Sequence, residues 1–165
     1  MSTPMIRTNA MDGEIVSLPL LFLAGGTEVS TGYQLPLNSV IYPWEMFVIV
    51  DTVDATETVD IGILSTESSG DANGFISLLS VATAGLIKPA ATLTQGTNAH
   101  YISATTWGVL FLAAACAGAN VAEQNAVPIF TPFIATSAAR TISYTPSTSD
   151  TFVGRLVFRI HQYPI

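Results

Sequence analysis

The chain has 165 residues, of which 49% are hydrophobic and only 10% charged, and its 12 acids outnumber its 5 bases to give a net charge of −7. That length fits one domain with its own core, the lack of any basic run excludes a nucleic-acid face, and the apolar content excludes disorder. The single cysteine, Cys116, excludes an internal disulfide and a Cys-based zinc site; it lies in a run of small apolar residues that reads as buried, and it fits synthesis in a reducing cytoplasm.

The first dozen residues, MSTPMIRTNAMD, carry no periodicity and read as an arm over 1–12, leaving 13–165 as one domain. A first strand is expected over 14–23; the stretch from Ile15 to Ala24 is apolar, but Pro19 interrupts it and Asp12 and Glu14 precede it, which is unlike a signal peptide. Strands follow over 33–41 and 46–53, the latter apolar on both faces, with Phe47, Ile49 and Val53 opposite Met46, Val48 and Val50. Over 57–64 the alternation is clean, with Val59, Ile61 and Ile63 on one face. Between Phe75 and Lys88 the spacing of Phe75, Leu78, Leu79 and Ala82 predicts a short helical turn in a long connection, bounded by Asn73-Gly74 before it and Gly85 and Pro89 after it. Strands are expected again over 99–104, 106–115, 138–145 and 153–162, the last with Leu156, Phe158 and Ile160 on one face. Trp107–Ala122 is too short for a membrane span and lacks flanking Lys or Arg, so it reads as a buried strand and no membrane segment is expected. Short strands parted by Gly, Pro, Ser and Asp turns make an all-β sandwich or barrel.

Spread over the roughly 7,900 Å² that mass scaling gives a folded chain of this size, the charges stand one per roughly 460 Å², against roughly 190 Å² for an average domain. A free monomer so poor in charge has low solubility. Much of the surface is therefore expected to be covered by other protein.

Acids gather at Glu45, Asp51, Asp54, Glu57, Asp60, Glu67 and Asp71 with no base among them. A calcium site would use such oxygens, and Asp71-Ala72-Asn73-Gly74 begins like a calcium loop, but the later carboxylates of that loop are missing, so a solvated acidic turn is the reading and no metal is expected. Arg140, Arg155 and Arg159 form an opposite pole; Arg155 and Arg159 would stand about 13 Å apart on one strand face. Either they are solvated, or they meet the acidic region of a neighbouring subunit or an underlying lattice. The two histidines, His100 and His161, sit in no Gly-x-Ser-x-Gly or His-Glu-x-x-His pattern, and Gly25-Gly26 lacks the Lys of a phosphate loop. No catalytic residue, cofactor or enzyme activity is expected. Tyr33, Tyr42, Trp44, Tyr101 and Trp107 could offer a sugar-stacking platform, although Trp107 reads as core and Tyr42 and Trp44, flanking Pro43, as packing residues.

Three stretches, VIVDTVDATETVDIGILSTESSGDANGF at Val48–Phe75, VATAGLIKP at Val81–Pro89 and ARTISYTPSTSDTFVGRLVFRIHQY at Ala139–Tyr163, resemble the small decoration, or cement, proteins of tailed-bacteriophage capsids, and more broadly β-rich phage structural proteins including head spikes and fibre domains. The resemblance implies a jelly roll within the β-sandwich class and a virion location on the capsid surface, after synthesis in the host cytoplasm. It also implies a non-enzymatic homo-oligomer, a trimer ahead of a dimer, that binds the major capsid protein and strengthens the shell. Arg7 in the arm, Leu18, Leu20 and Phe22 in the first strand, and Arg140, Arg155 and Arg159 are the expected contact residues. A receptor- or glycan-binding spike or fibre domain is the alternative.

Overall fold

The computed structural model describes residues 13–21, 25–89, 92–95, 100–103, 107–111, 131–136, 140–148 and 152–162. They form an all-β sandwich of two packed sheets, as the alternation predicts. The twelve strands are β1 (Glu14–Leu21), β2 (Val29–Leu35), β3 (Ser39–Ile41), β4 (Met46–Thr52), β5 (Thr58–Ile63), β6 (Asp71–Ser80), β7 (Gly85–Ile87), β8 (Thr92–Gln95), β9 (His100–Ser103), β10 (Phe133–Ile134), β11 (Arg140–Pro146) and β12 (Val153–Gln162). One sheet runs β10-β3-β12-β4-β7 with β1 on β12, the other runs β2-β11-β5-β6, and β8 and β9 make a separate hairpin.

The pairing is nested. β1 lies antiparallel to β12, β2 to β11, β4 to β7 and β5 to β6. The chain thus reads as one long hairpin whose two arms are then rolled together by the β4–β12 and β11–β5 pairings. Each arm contributes its residues of one parity to the interior: Val16, Leu18 and Leu20 of β1, Met46, Val48 and Val50 of β4, Val59, Ile61 and Ile63 of β5, and Leu156, Phe158 and Ile160 of β12 are all buried. Phe75 closes one end of this core against Phe111 and Phe133, each ring 5.0 Å away, with Trp107 edge-on to Phe111. Burial of Trp107 agrees with its reading as core.

Three elements differ from expectation. The strand expected over 33–41 is broken by a turn at residues 37–38, so that β2 ends at Leu35 in one sheet and β3 starts at Ser39 in the other. The segment Phe75–Lys88 holds no helical turn: it is the second half of β6 and the short strand β7. Extra residues on β6 bulge against β5, and Leu78 takes a positive φ of 52° and points outward, so the apolar spacing mimics a helix period. Asp60 of β5 accepts the N–H that this bulge frees, Leu78 N–H, at 2.6 Å. Where a strand over 106–115 was expected, the described part has only a bridge from Trp107 to Ile76 and a 3-10 turn at Val109–Phe111. Gly108 sets that geometry. A Cβ there would lie 2.2 Å from the Asn73 carbonyl oxygen, so only glycine lets the turn dock on the start of β6.

Carboxylates tie the loops to the sheets. Glu57, 1% exposed, accepts hydrogen bonds from the backbone N–H and hydroxyl groups of both Ser147 and Thr148, in the turn between β11 and β12. Burial pushes its carboxyl up, but these donors outweigh burial and hold it below the usual glutamate range. Glu28 is placed alike: burial raises it, and the Ser143 hydroxyl together with the hydroxyl and N–H of Ser65 bring it below its ordinary value. Tyr144 joins the sheets. Its hydroxyl donates to the Leu21 carbonyl at 2.5 Å and accepts from the Leu21 N–H at 3.1 Å.

Candidate functional site

Residues paired directly across an antiparallel sheet share a face, so the register of the six-stranded sheet lays out its outward surface. Pro19, Arg155, Ile49 and Leu86 form one row across β1, β12, β4 and β7. Ser17, Val157 and Phe47 form the next, with the pairs Ile15–Arg159 and Leu21–Val153 at either end. Ile15 is 64% exposed, Leu86 58% and Leu21 50%, while Phe47, Ile49 and Val157 are half-buried by their neighbours. The face is therefore apolar over most of its extent, although it looks away from the core. A shallow hollow of about 530 Å³ opens on it, between Pro19 and Leu21 of β1 and Val153 and Arg155 of β12, with Asp51 alongside.

Charge enters this face in paired form. Arg155 meets Asp51 at 3.1 Å, both half-exposed, and Arg159 lies 3.7 Å from Glu45. Lys88 sits over the Phe47 ring, 6.0 Å from its centroid. Half-exposed pairs of this kind contribute about 0–1 kcal/mol each to stability; their effect is to neutralise the face. Next to Glu45, the buried His161 holds its Nε2 2.5 Å from Oε2. Tyr42 packs edge-on against His161 and stacks on Trp44 with ring centroids 4.8 Å apart, and Trp44 is 57% exposed.

The expected contact residues divide accordingly. Leu18 and Leu20 are corrected: both are buried in the core, because Pro19 does not break the alternation and the outward set on β1 is Ile15, Ser17, Pro19 and Leu21. Arg155 and Arg159 lie on the outward face, but their partners are acids of the same chain, since β4 and β12 are neighbours. Two of the clustered acids, Asp51 and Glu45, thus share one surface with two of the three arginines. Arg140 lies apart, on the other sheet, donating to the Ser68 carbonyl. Arg7, Phe22 and Cys116 lie outside the described residues, as does the 1–12 arm. Ile15, Leu21 and Leu86 were not singled out from sequence, although the period-two pattern over 14–21 carried the signal for the first two.

Nor are the remaining acids a cation cluster. Asp54 accepts from Thr56 N–H and hydroxyl, Glu67 from Thr141 N–H and Asp71 from Asn73 N–H. Among the described residues no group of three or more His, Cys, Asp or Glu side chains could hold a metal ion, and no helix is long and apolar enough to cross a membrane. No protein-family model, curated protein or solved structure matches the chain.

Proposed function

We propose that this chain is a non-enzymatic virion structural protein that binds the outside of a tailed-phage capsid as a homo-oligomer and stabilises the shell. The observation that carries the reading is the apolar, charge-paired outward face of the six-stranded sheet, a surface suited to being covered. The nested pairing of first strand with last and second with penultimate supports a jelly roll as the particular sandwich, the fold that the resemblance implies. A stabiliser of this kind acts by binding the intact shell better than the disrupted one, and repetition over a lattice multiplies a modest contact. The test is co-sedimentation with purified capsids that lack the protein. Saturable binding, with a rise in the temperature at which the shells open, is expected; soluble protein left wholly in the supernatant overturns the proposal.

A second reading has its own observation. Trp44 offers an exposed ring backed by Tyr42, beside the polar groups of Glu45 and Arg159. That arrangement suits stacking on a sugar ring, as a receptor-binding spike or fibre domain would need. Binding on a glycan array that disappears in Trp44→Ala would favour it over the capsid role.

A further inference from the structure

We infer that the outward face of the β1-β12-β4-β7 sheet is covered by a second copy of this chain, packed sheet to sheet about a two-fold axis. The inference rests on the reading of the chain as an assembly subunit and names the partner of that same face. Three observations carry it.

The first is extent. β1, β12, β4 and β7 contribute 8, 10, 7 and 3 residues, which at about 4.8 Å between strands and about 3.3 Å per residue give a face of roughly 440 Å² in projection. The accessible area of a surface studded with side chains exceeds its projection, and so approaches the roughly 800 Å² per partner of a standard interface. The second is charge. The chain carries a net −7, so most approaches between copies are repulsive. This face instead holds three of the five bases, Arg155, Arg159 and Lys88, against two acids, Asp51 and Glu45. On this face two copies approach without that repulsion.

The third is self-complementarity. A two-fold contact brings each patch against itself, so every group must find its complement within the same patch. Arg155 and Asp51 lie side by side on adjacent strands, so a two-fold axis between them sets each Arg155 facing the other copy's Asp51. Apolar groups and a recess are both present as well: Leu86 stands exposed two strands away from Arg155, in the same row, while the hollow lies on the β1 side of that row. Turning one copy over the other brings Leu86 of each toward the hollow of its mate. Aligned packing of two sheet faces is a familiar arrangement.

Light scattering on the purified full chain tests this without any shell. A mass of about 35 kDa, twice the 17.4 kDa chain, is expected. Leu86→Asp and Ile15→Asp, each keeping a β-type circular dichroism spectrum, should weaken the dimer by at least about tenfold in Kd. Leu78→Asp, equally exposed but on the opposite sheet, should leave it intact. Radical footprinting of the unaltered chain covers the case of a variant that does not fold: Ile15, Leu21 and Leu86 should be protected relative to Leu78. A monodisperse monomer or a trimer, a dimer indifferent to the face variants, or equal labelling at the four leucine and isoleucine positions would each overturn the inference. A dimer that ignores capsids would leave it standing and remove the capsid role.

Discussion

Replacing Glu57 by Gln isolates the role of one buried charge. The side chain keeps its shape, but the acceptor of the Ser147 and Thr148 donors becomes neutral at one oxygen and an NH₂ donor at the other. Hydrogen bonds to a charged acceptor contribute about 1.5–3 kcal/mol against about 0.5–1.5 kcal/mol for neutral ones, so weakening the two backbone bonds costs about 2 kcal/mol. Glu57→Ala, which removes the acceptor altogether, costs about 3–4 kcal/mol on the same reckoning. With a urea m-value of about 2 kcal/mol/M the Gln variant should unfold about 1 M earlier at neutral pH. The pH dependence fixes the mechanism. The folded-state carboxyl titrates below its unfolded value, so its contribution is complete above the unfolded value and is lost as pH falls through the folded one. The gap between wild type and Glu57→Gln must therefore narrow as pH falls from neutral through the range in which the folded carboxyl takes up its proton. Glu28 loses its own contribution in both proteins and cancels from the difference. Equal midpoints at neutral pH, or a gap that persists unchanged in acid, would refute the reasoning.

Other expectations can be checked by the same denaturation assay. Tyr144→Phe removes the one hydroxyl serving both the N–H and the C=O of Leu21 and should cost about 1–3 kcal/mol. Gly108→Ala drives a methyl group into the backbone at Asn73 and Gly74 and should destabilise by about 1–3 kcal/mol, with near-ultraviolet circular dichroism of the Trp107 environment altered. Thr145 keeps a buried hydroxyl with no hydrogen-bond partner among the described residues, so Thr145→Val should be neutral or raise stability by about 0.5–1 kcal/mol.

What the sequence revealed depended on how regular each strand is. β5 and β12 alternate strictly over most of their length, and their inward residues could be named one by one. β6 could not be read this way, because its bulges break the period of two and place Phe75, Leu78 and Leu79 at helix-like intervals. The Trp107 segment misled for a different reason. Its apolar character fits a buried strand, whereas a glycine-dependent turn packs Trp107 and Phe111 on the end of the core. At the candidate site, apolarity pointed to the right strand and the wrong parity: Leu18 and Leu20 serve the core, while Ile15 and Leu21 face out. The separation of acids from arginines along the chain concealed their adjacency, since the β4–β12 pairing that rolls the arms together lays Asp51 and Glu45 against residues more than a hundred positions later.

Nesting also governs when the protein can come into being on the ribosome. Among the described residues β1 has β12 as its sole strand partner, and β3 and β4 each lack one neighbour until residues 153–162 have emerged. Until then these segments present open, apolar edges of the kind that recruit other chains. A messenger or protease that stops the chain before Val153 would yield a product deprived of the central strand of its larger sheet, and hence an aggregating fragment rather than a shortened working protein.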